Sequence, residues 1–329
     1  MNMIAITDAD MFKYGAAYAG EVRSVIVEHP NGFCREFKSR TEFYGRGANK
    51  DGGELAKMNK KGSVTLAEEY IYTDVQVAEP LESVLASTKN TIDAAVRMSG
   101  AKEAIHFLGE GESFRVERST LIPYKGERGS QIKPLLLDEV TEFIKHHYKA
   151  EVVSHIECDD IVVQECYKRP DRFVLCEDKD AKSQPVKVFD INSPKDGIID
   201  CTGFGGLFIC NRNKTPQVRG FGYMHLYYQM LAGDAVDNIK PSCFSDMKLG
   251  SIGAYNLLKD CTTHKEAFQV MKDTYIKMYP EPKVVKGWRG DDITIDWRYV
   301  FNEVFDLVRM HRFEGDFVVG TEVLDKILK

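Results

Sequence analysis

The sequence predicts an α/β fold, with a mostly parallel central sheet flanked by helices and then a helical C-terminal part. Short apolar runs of strand length alternate with longer runs at helical period up to about residue 222, and beyond it helical periodicity dominates. The chain is 329 residues long with 43% hydrophobic and 29% charged residues, enough for a sizeable core and the balance of a globular protein.

The elements follow in order. MIAIT (3–7) is a short buried-strand pattern, and the segment from Asp10 to Glu21 has the composition of a helix. Residues 31–62 are rich in Gly, Asn, Lys and Arg and predict an exposed hairpin or loop inserted after the first unit. Residues 80–100 carry Leu81, Val84, Leu85, Ile92, Ala95 and Val96 at helical spacing and stop at Gly100. EAIHFLG (103–109) is a strand, residues 135–149 a helix, EVVSHI (151–156) a strand and residues 159–168 a helix. RFVLC (172–176) and VKVFDI (186–191) are further strands. Strands separated by helices build βαβ units, hence the parallel sheet. Past residue 222 come helical runs at 222–233, 252–260, 264–279 and 298–313. The expected division is therefore an α/β core over 1–221 and a helical part over 222–329, with no low-complexity linker and no repeat.

Several classes are excluded by composition. No apolar run approaches the ~20 residues that span a bilayer, and the N-terminus has neither a basic leader nor a cleavage pattern, so the expectation is a cytoplasmic protein with no membrane partner. The eight cysteines form no C-x-x-C pair and predict reduced thiols rather than a disulfide framework. A net charge of -6 argues against nucleic acid unless much of the acid is concentrated in one metal-filled site.

The acids are arranged for such a site. Asp8 and Asp10 follow the first strand, Glu157, Asp159 and Asp160 follow EVVSHI, and Asp178 and Asp180 follow RFVLC. Asp234 and Asp237 come after a helix that ends at Gly233. In a parallel sheet the carboxyl ends of the strands share one edge, so groups just past several strands converge there. Taken singly, each acid is an ordinary turn, cap or solvated residue, and Asp10 in particular has the position of a helix cap. Together they predict one acidic pocket, whose carboxylates repel unless hard divalent cations lie between them. Two Mg²⁺ or Mn²⁺ ions satisfy that requirement, and paired ions about 3.5–4 Å apart are a known device for cutting phosphodiesters.

These residues resemble the 5'-nucleases, the family of flap endonucleases and 5'-3' exonucleases, and within it the bacteriophage replication exonucleases. The likeness rests on Asp8, ECDD (157–160), EDKD (177–180), QMLAGDAVDN (229–238), SFRVERSTLIPYKGER (113–128) and LGSIGAYNLL (249–258), and it runs from Asp8 to about residue 260. It implies a PIN-like nuclease fold and a metal site of Asp8, Glu157, Asp159, Asp160, Asp178, Asp180, Asp234 and Asp237. Where the family places an Asp seven residues before Arg115 this chain has Leu108, and Glu110 is the substitute that the spacing suggests, with Glu112 weaker. Lys125 and Arg128 match the basic pair at the base of the family's arch, here a short arch over about 120–134, and are implied to hold the scissile phosphate. Arg115 and Tyr124 are implied nucleic-acid contacts, Tyr124 and Tyr14 as stacking partners for a terminal base. Gly250 and Gly253 open a helix of helix-hairpin-helix type, where free N–H groups accept a duplex phosphate and, in the family, a K⁺ ion often assists. The implied partners are DNA with 5' ends, flaps, nicks or duplex ends, RNA:DNA hybrids, and replication proteins, in the host cytoplasm if the chain is viral.

One further feature is read from the residues alone. The insertion at 31–62 holds Lys or Arg at 35, 38, 40, 46, 50, 57, 60 and 61 with Phe33, Phe37, Phe43 and Tyr44 among them, which suits a backbone-tracking arm or equally a solvated loop anchored by its own aromatics. Alternatives in function also stand. The strand followed by Asp8-x-Asp10 and a late acid pair fits a haloacid-dehalogenase-type phosphatase, and Leu108 fits a nucleic-acid binding module with a weakened site.

Overall fold

The computed structural model describes residues 3–46, 52–62, 64–126, 132–212 and 215–329. They form two compact units, one of residues 1–11, 91–132 and 144–329, the other of 12–90 and 133–143. The first unit thus takes in both the parallel sheet and the C-terminal helices, which the boundary at 221 had separated.

The first unit is built on a six-stranded sheet. β1 (Ile4–Asp8) lies between β5 (Glu103–Glu110) and β7 (Arg172–Cys176), β6 (Glu151–Ser154) flanks β5, and β8 (Lys187–Asp190) and β9 (Ile198–Asp200) continue beyond β7. All neighbours are parallel except β9, which runs antiparallel to β8 at the edge. Central parallel strands are covered on both faces and so read as continuous apolar runs. Ala5, Ile6 and Thr7 of β1 and Phe173, Val174 and Leu175 of β7 are accordingly buried, and a fully buried side chain of the size of Ile6 or Leu175 contributes about 1.5–3 kcal/mol. Helix α7 (Cys158–Lys168) packs Cys158, Val162, Val163 and Cys166 into this core with Phe107 and Val188. All eight cysteines are free thiols, four of them buried.

The C-terminal helices share a second core. α8 (Tyr223–Ala232), α9 (Ser251–Leu258), α10 (His264–Met278) and α11 (Trp297–Val308) contribute Met224, Leu226, Ala254, Met271, Tyr275 and Phe301. Side-chain caps fix two of their starts. Thr263 and Glu266 form a reciprocal capping box on α10, and Asp296 accepts the Tyr299 N–H of α11. Helices dominate after 222 as expected, with one short antiparallel pair among them, β12 (Lys283–Lys286) and β13 (Asp292–Ile295). β10 (Gly206–Arg212) pairs with β11 (Thr215–Phe221) just before α8, and α12 (Gly320–Leu328) ends the chain with Leu324 buried.

The second unit favours, of the two readings of 31–62, the segment anchored by its own aromatics. β2 (Glu21–Glu28) sits between β3 (Cys34–Phe37) and β4 (Ile71–Ala78) in an antiparallel sheet. α2 (Arg40–Tyr44) and α3 (Glu54–Asn59) close over it, so that Phe37, Phe43 and Leu55 pack with Val25, Val27 and Tyr70. Phe43 is fully buried, with the rings of Phe33, Phe37, Tyr70 and Tyr72 within 6.0 Å of its own. Aromatics in this environment serve as core and are not available to stack on bases. Residues 47–51, part of the proposed arm, lie outside the described residues. Among the described residues no helix is long and apolar enough to cross a membrane.

Candidate active site

The sheet order places β6, β5, β1 and β7 side by side, so their carboxyl ends share one edge. Asp8 is the last residue of β1, Glu157 and Asp159 open α7 after β6, and Asp178 and Asp180 follow β7. Glu157 occupies the N-cap of α7 without capping it. Its carboxylate instead accepts from Lys125 Nζ at 2.6 Å, Tyr124 Oη at 3.1 Å and Arg115 Nη1 at 3.2 Å.

The turn after α8 joins this group. Asp237 Oδ2 accepts from Tyr124 Oη at 3.0 Å and lies 3.7 Å from Lys125 Nζ. Asp234 Oδ1 holds the Val236 and Asp237 N–H groups, while its Oδ2 accepts from Lys179 Nζ at 2.8 Å. Lys179 also lies 3.8 Å from Asp180, whose Oδ1 accepts from Gln229 Nε2 of α8 at 2.7 Å. The close spacing of Asp234 and Asp237 is therefore tolerated because Lys179 faces one carboxylate and Lys125 the other.

The remaining acids are less well compensated. Burial and the carboxylates of Asp8, Asp178 and Glu157 push the Asp159 carboxyl well above the usual range, against the pull of Lys125. Burial and then Asp178, opposed by Lys179, push Asp180 up to about 8. Asp234 moves the other way: its burial is outweighed by the Lys179 ammonium and two backbone N–H groups, which hold it below the ordinary value. Half-buried carboxylates that raise one another's pKa are what a bound cation relieves, and a donor set of carboxylate oxygens suits hard divalent ions such as Mg²⁺ or Mn²⁺. By this test the residues present fit such ions.

The Tyr124–Lys125 turn is held from several sides. Lys125 has a positive φ of 53°, and its N–H donates to the Asp237 carbonyl at 3.0 Å. A lysine persists in this sparsely populated region only where surrounding contacts over-determine it. Here Asn238 Nδ2 holds the Pro123 carbonyl, Glu303 accepts from the Leu121 N–H and Thr120 hydroxyl, and Trp288 Nε1 and Arg289 Nη1 both donate to the Ser119 carbonyl. Burial, then the Glu157 carboxylate, pushes the Tyr124 phenol well above its usual range, so the group acts as a neutral donor to two acids.

Several residues stand elsewhere than the sequence implied. Asp160 is fully buried on Arg115, which it shares with Glu157. It accepts from Arg115 Nη1 and Nη2 at 2.5 and 2.8 Å and from the His311 N–H at 2.7 Å. Burial opposes its ionisation, but Arg115 outweighs that and holds the carboxyl below its ordinary value. Arg115 is only 2% exposed and spends its other N–H groups on the Leu307 and Arg309 carbonyls, so it is an internal strut and not a surface contact for nucleic acid. Tyr124, 6% exposed, has no open face for a base, whereas Tyr14 is 42% exposed. Glu110 is exposed at the end of β5. Gly250 is the N-cap of α9 with open space where a Cβ would stand, and Gly253 lies in the first turn against Leu249. Arg128 lies outside the described residues.

Lys179, Gln229 and Glu303 belong to the site or its support and were not singled out in the sequence. Lys179 sits within EDKD, where a cation flanked by acids is a usable signal, but nothing local marks Gln229 or Glu303. Among the described residues, Asp8, Asp10 and Cys158 also bring ligating atoms within 4.8 Å of one another.

No family model matches the chain, and no curated protein matches it. Solved structures do. Bacteriophage T5 flap endonuclease, in a complex with DNA and metal ions, is 16% identical over 74% of this chain and 88% of its own, with a TM-score of 0.40. T5 5'-exonuclease with bound zinc is 16% identical over the same shares, with a TM-score of 0.38.

Proposed function

We propose that the chain is a metal-dependent 5'-nuclease that hydrolyses phosphodiester bonds at or near 5' ends of DNA. The observation that carries this reading is the gathering of Asp8, Glu157, Asp159, Asp178, Asp180, Asp234 and Asp237 around Lys125, Tyr124 and Lys179, in the chain order of the family motifs. These acids would hold two Mg²⁺ or Mn²⁺ ions, which when bound would supply Lewis acidity at the phosphate and a nucleophile at neutral pH.

The chain's own groups then have separate tasks. Lys125 Nζ, 2.6 Å from Glu157, offers its ammonium to a non-bridging phosphate oxygen and offsets charge that grows in the transition state. Arg128 is its partner in this proposal. Tyr124 fixes Glu157 and Asp237 in one orientation, and Lys179 with Gln229 fixes Asp234 and Asp180. The first turn of α9, opened by Gly250 and Gly253, receives a duplex phosphate on backbone N–H groups, with K⁺ as its companion. No protein nucleophile is required. RNA:DNA hybrids as substrates, and replication proteins as partners, extend the same reading.

Against the phosphatase alternative stands α8, since the late acid pair follows a helix and not a strand. The test is a 5'-labelled flap and a nicked duplex incubated with Mg²⁺ or with EDTA. Wild type releases short 5' products only with Mg²⁺, and Asp178→Asn releases none while still binding the DNA. Cleavage by Asp178→Asn at the wild-type rate refutes the site, and turnover of a small phosphomonoester alone transfers the protein to the phosphatases.

A further inference from the structure

Resting on that nuclease reading, we infer that Asp10, and not Glu110, supplies the carboxylate at the β5 corner of the metal centre. The local geometry begins at the end of β1. Asp8 pairs with Phe107 of β5, and the Ala9 N–H donates to the Phe107 carbonyl at 2.8 Å, which carries the chain across the sheet edge as α1 (Asp10–Ala19) begins. The Asp10 N–H donates to Asp8 Oδ1 at 2.8 Å, so the two carboxylates are set on one turn.

The Asp10 side chain then reaches over β5. Its Oδ1 accepts from the Gly109 N–H at 3.1 Å, and its Oδ2 lies 2.9 Å from the point where a Cβ on residue 109 would stand. The buried Cys158 Sγ is 3.5 Å from that same point. Gly109 therefore forms a notch in the strand, and the Asp10 carboxylate fills it in place of a side chain from β5 itself. Any side chain at 109 would displace Oδ2. Donor atoms of Asp8, Asp10 and Cys158 fall within 4.8 Å of one another around this notch, and two carboxylates in such a set suit a hard cation. Glu110 is the next residue along β5, so strand alternation turns its side chain to the other face, and it is exposed. A glycine at 109 and an acid at 10 together explain how this chain manages with Leu108, 1% exposed, at the position where the motif expects an Asp.

The experiment is a Mn²⁺ titration of the full chain without DNA, with free Mn²⁺ followed by electron paramagnetic resonance and folding by circular dichroism. Wild type binds two ions, Asp10→Ala weakens one of them by at least about tenfold, the scale of a lost metal-site group, and Glu110→Gln titrates as wild type. Gly109→Ala keeps every ligand yet weakens the same ion by displacing Asp10, and Asp10→Asn serves in place of Asp10→Ala should the latter fail to fold. The assignment is overturned if folded Asp10→Ala or Asp10→Asn binds both ions normally, or if Glu110→Gln loses one. In those cases wild type still binds two ions and the nuclease reading stands. A wild type that binds no Mn²⁺ removes both.

Discussion

Replacing Arg115 separates a structural strut from a nucleic-acid contact. Asp160 is fully buried and has three donors, two of them from Arg115 and the third the His311 N–H. In Arg115→Ala the carboxylate keeps only the backbone donor, and the Leu307 and Arg309 carbonyls lose theirs. Breaking a buried pair by removing one partner costs about 3–5 kcal/mol, because the remaining charge has lost its compensation in a low-dielectric site. For a unit of this size that is a fall in Tm of roughly 6–20 °C, at about 2–4 °C per kcal/mol. Arg115→Met combined with Asp160→Leu should recover most of the loss, since an apolar pair of similar volume leaves no buried charge. The assay is urea denaturation followed by circular dichroism, beside duplex affinity by fluorescence anisotropy at fixed salt. The reasoning is refuted if Arg115→Ala stays within about 1 kcal/mol of wild type, well below the expected cost, while losing DNA affinity; Asp160 would then return to the metal set.

Two other outcomes are expected. Lys125→Ala should lower kcat by about 10²–10³-fold, the scale of one lost electrostatic donor, with duplex affinity nearly unchanged; an equal loss in both, from single-turnover rates and anisotropy, would reduce Lys125 to a surface contact. His106, buried against Thr7 Oγ1 at 2.7 Å, has its pKa lowered by burial to about 4, so the unfolded chain takes up its proton first and stability falls as pH drops below about 6.5. Between pH 7 and pH 5 this costs about 2 kcal/mol, which His106→Gln should remove from the pH dependence of the denaturation midpoint; an unaltered dependence would show that the ring is solvated.

What was legible in the sequence was what a single physical pattern controls. β1 and β7 read correctly because strands covered on both faces are apolar throughout, and their common carboxyl edge then located Asp8 and Asp178. In the second unit the strands EVRSVIVE and IYTDVQVA escaped notice because their inward residues need the distant Phe43 and Leu55 as cover, which no local pattern shows. α12 carried a usable signal in Val323, Leu324, Ile327 and Leu328. Within the site, Asp159 and Asp160 are neighbours that one helical step of about 100° sends to different environments, one to the acids and one to Arg115. Spacing within ECDD does not say which is which, because the answer depends on Arg115, 45 residues away.

That dependence gives the last part of the chain a mechanical role. Arg115 links Glu157 and Asp160 at the start of α7 to the Leu307 and Arg309 carbonyls at the end of α11. Glu303 of α11 holds Thr120 and Leu121, and Trp288 and Arg289 hold Ser119, all just ahead of Tyr124 and Lys125. The acids of the sheet edge and the cation that faces them are thus set by one framework whose anchors lie between residues 288 and 309. A single donor in such a set contributes only about 0.5–1.5 kcal/mol, but several converging on one short turn leave Lys125 little freedom. Its ammonium therefore reaches Glu157 and Asp237 from a backbone conformation that a lysine on an unsupported loop would seldom adopt. In the nuclease proposed above, a group held in this way would be ordered before substrate arrives, which is the condition under which one positive charge does most to lower a barrier.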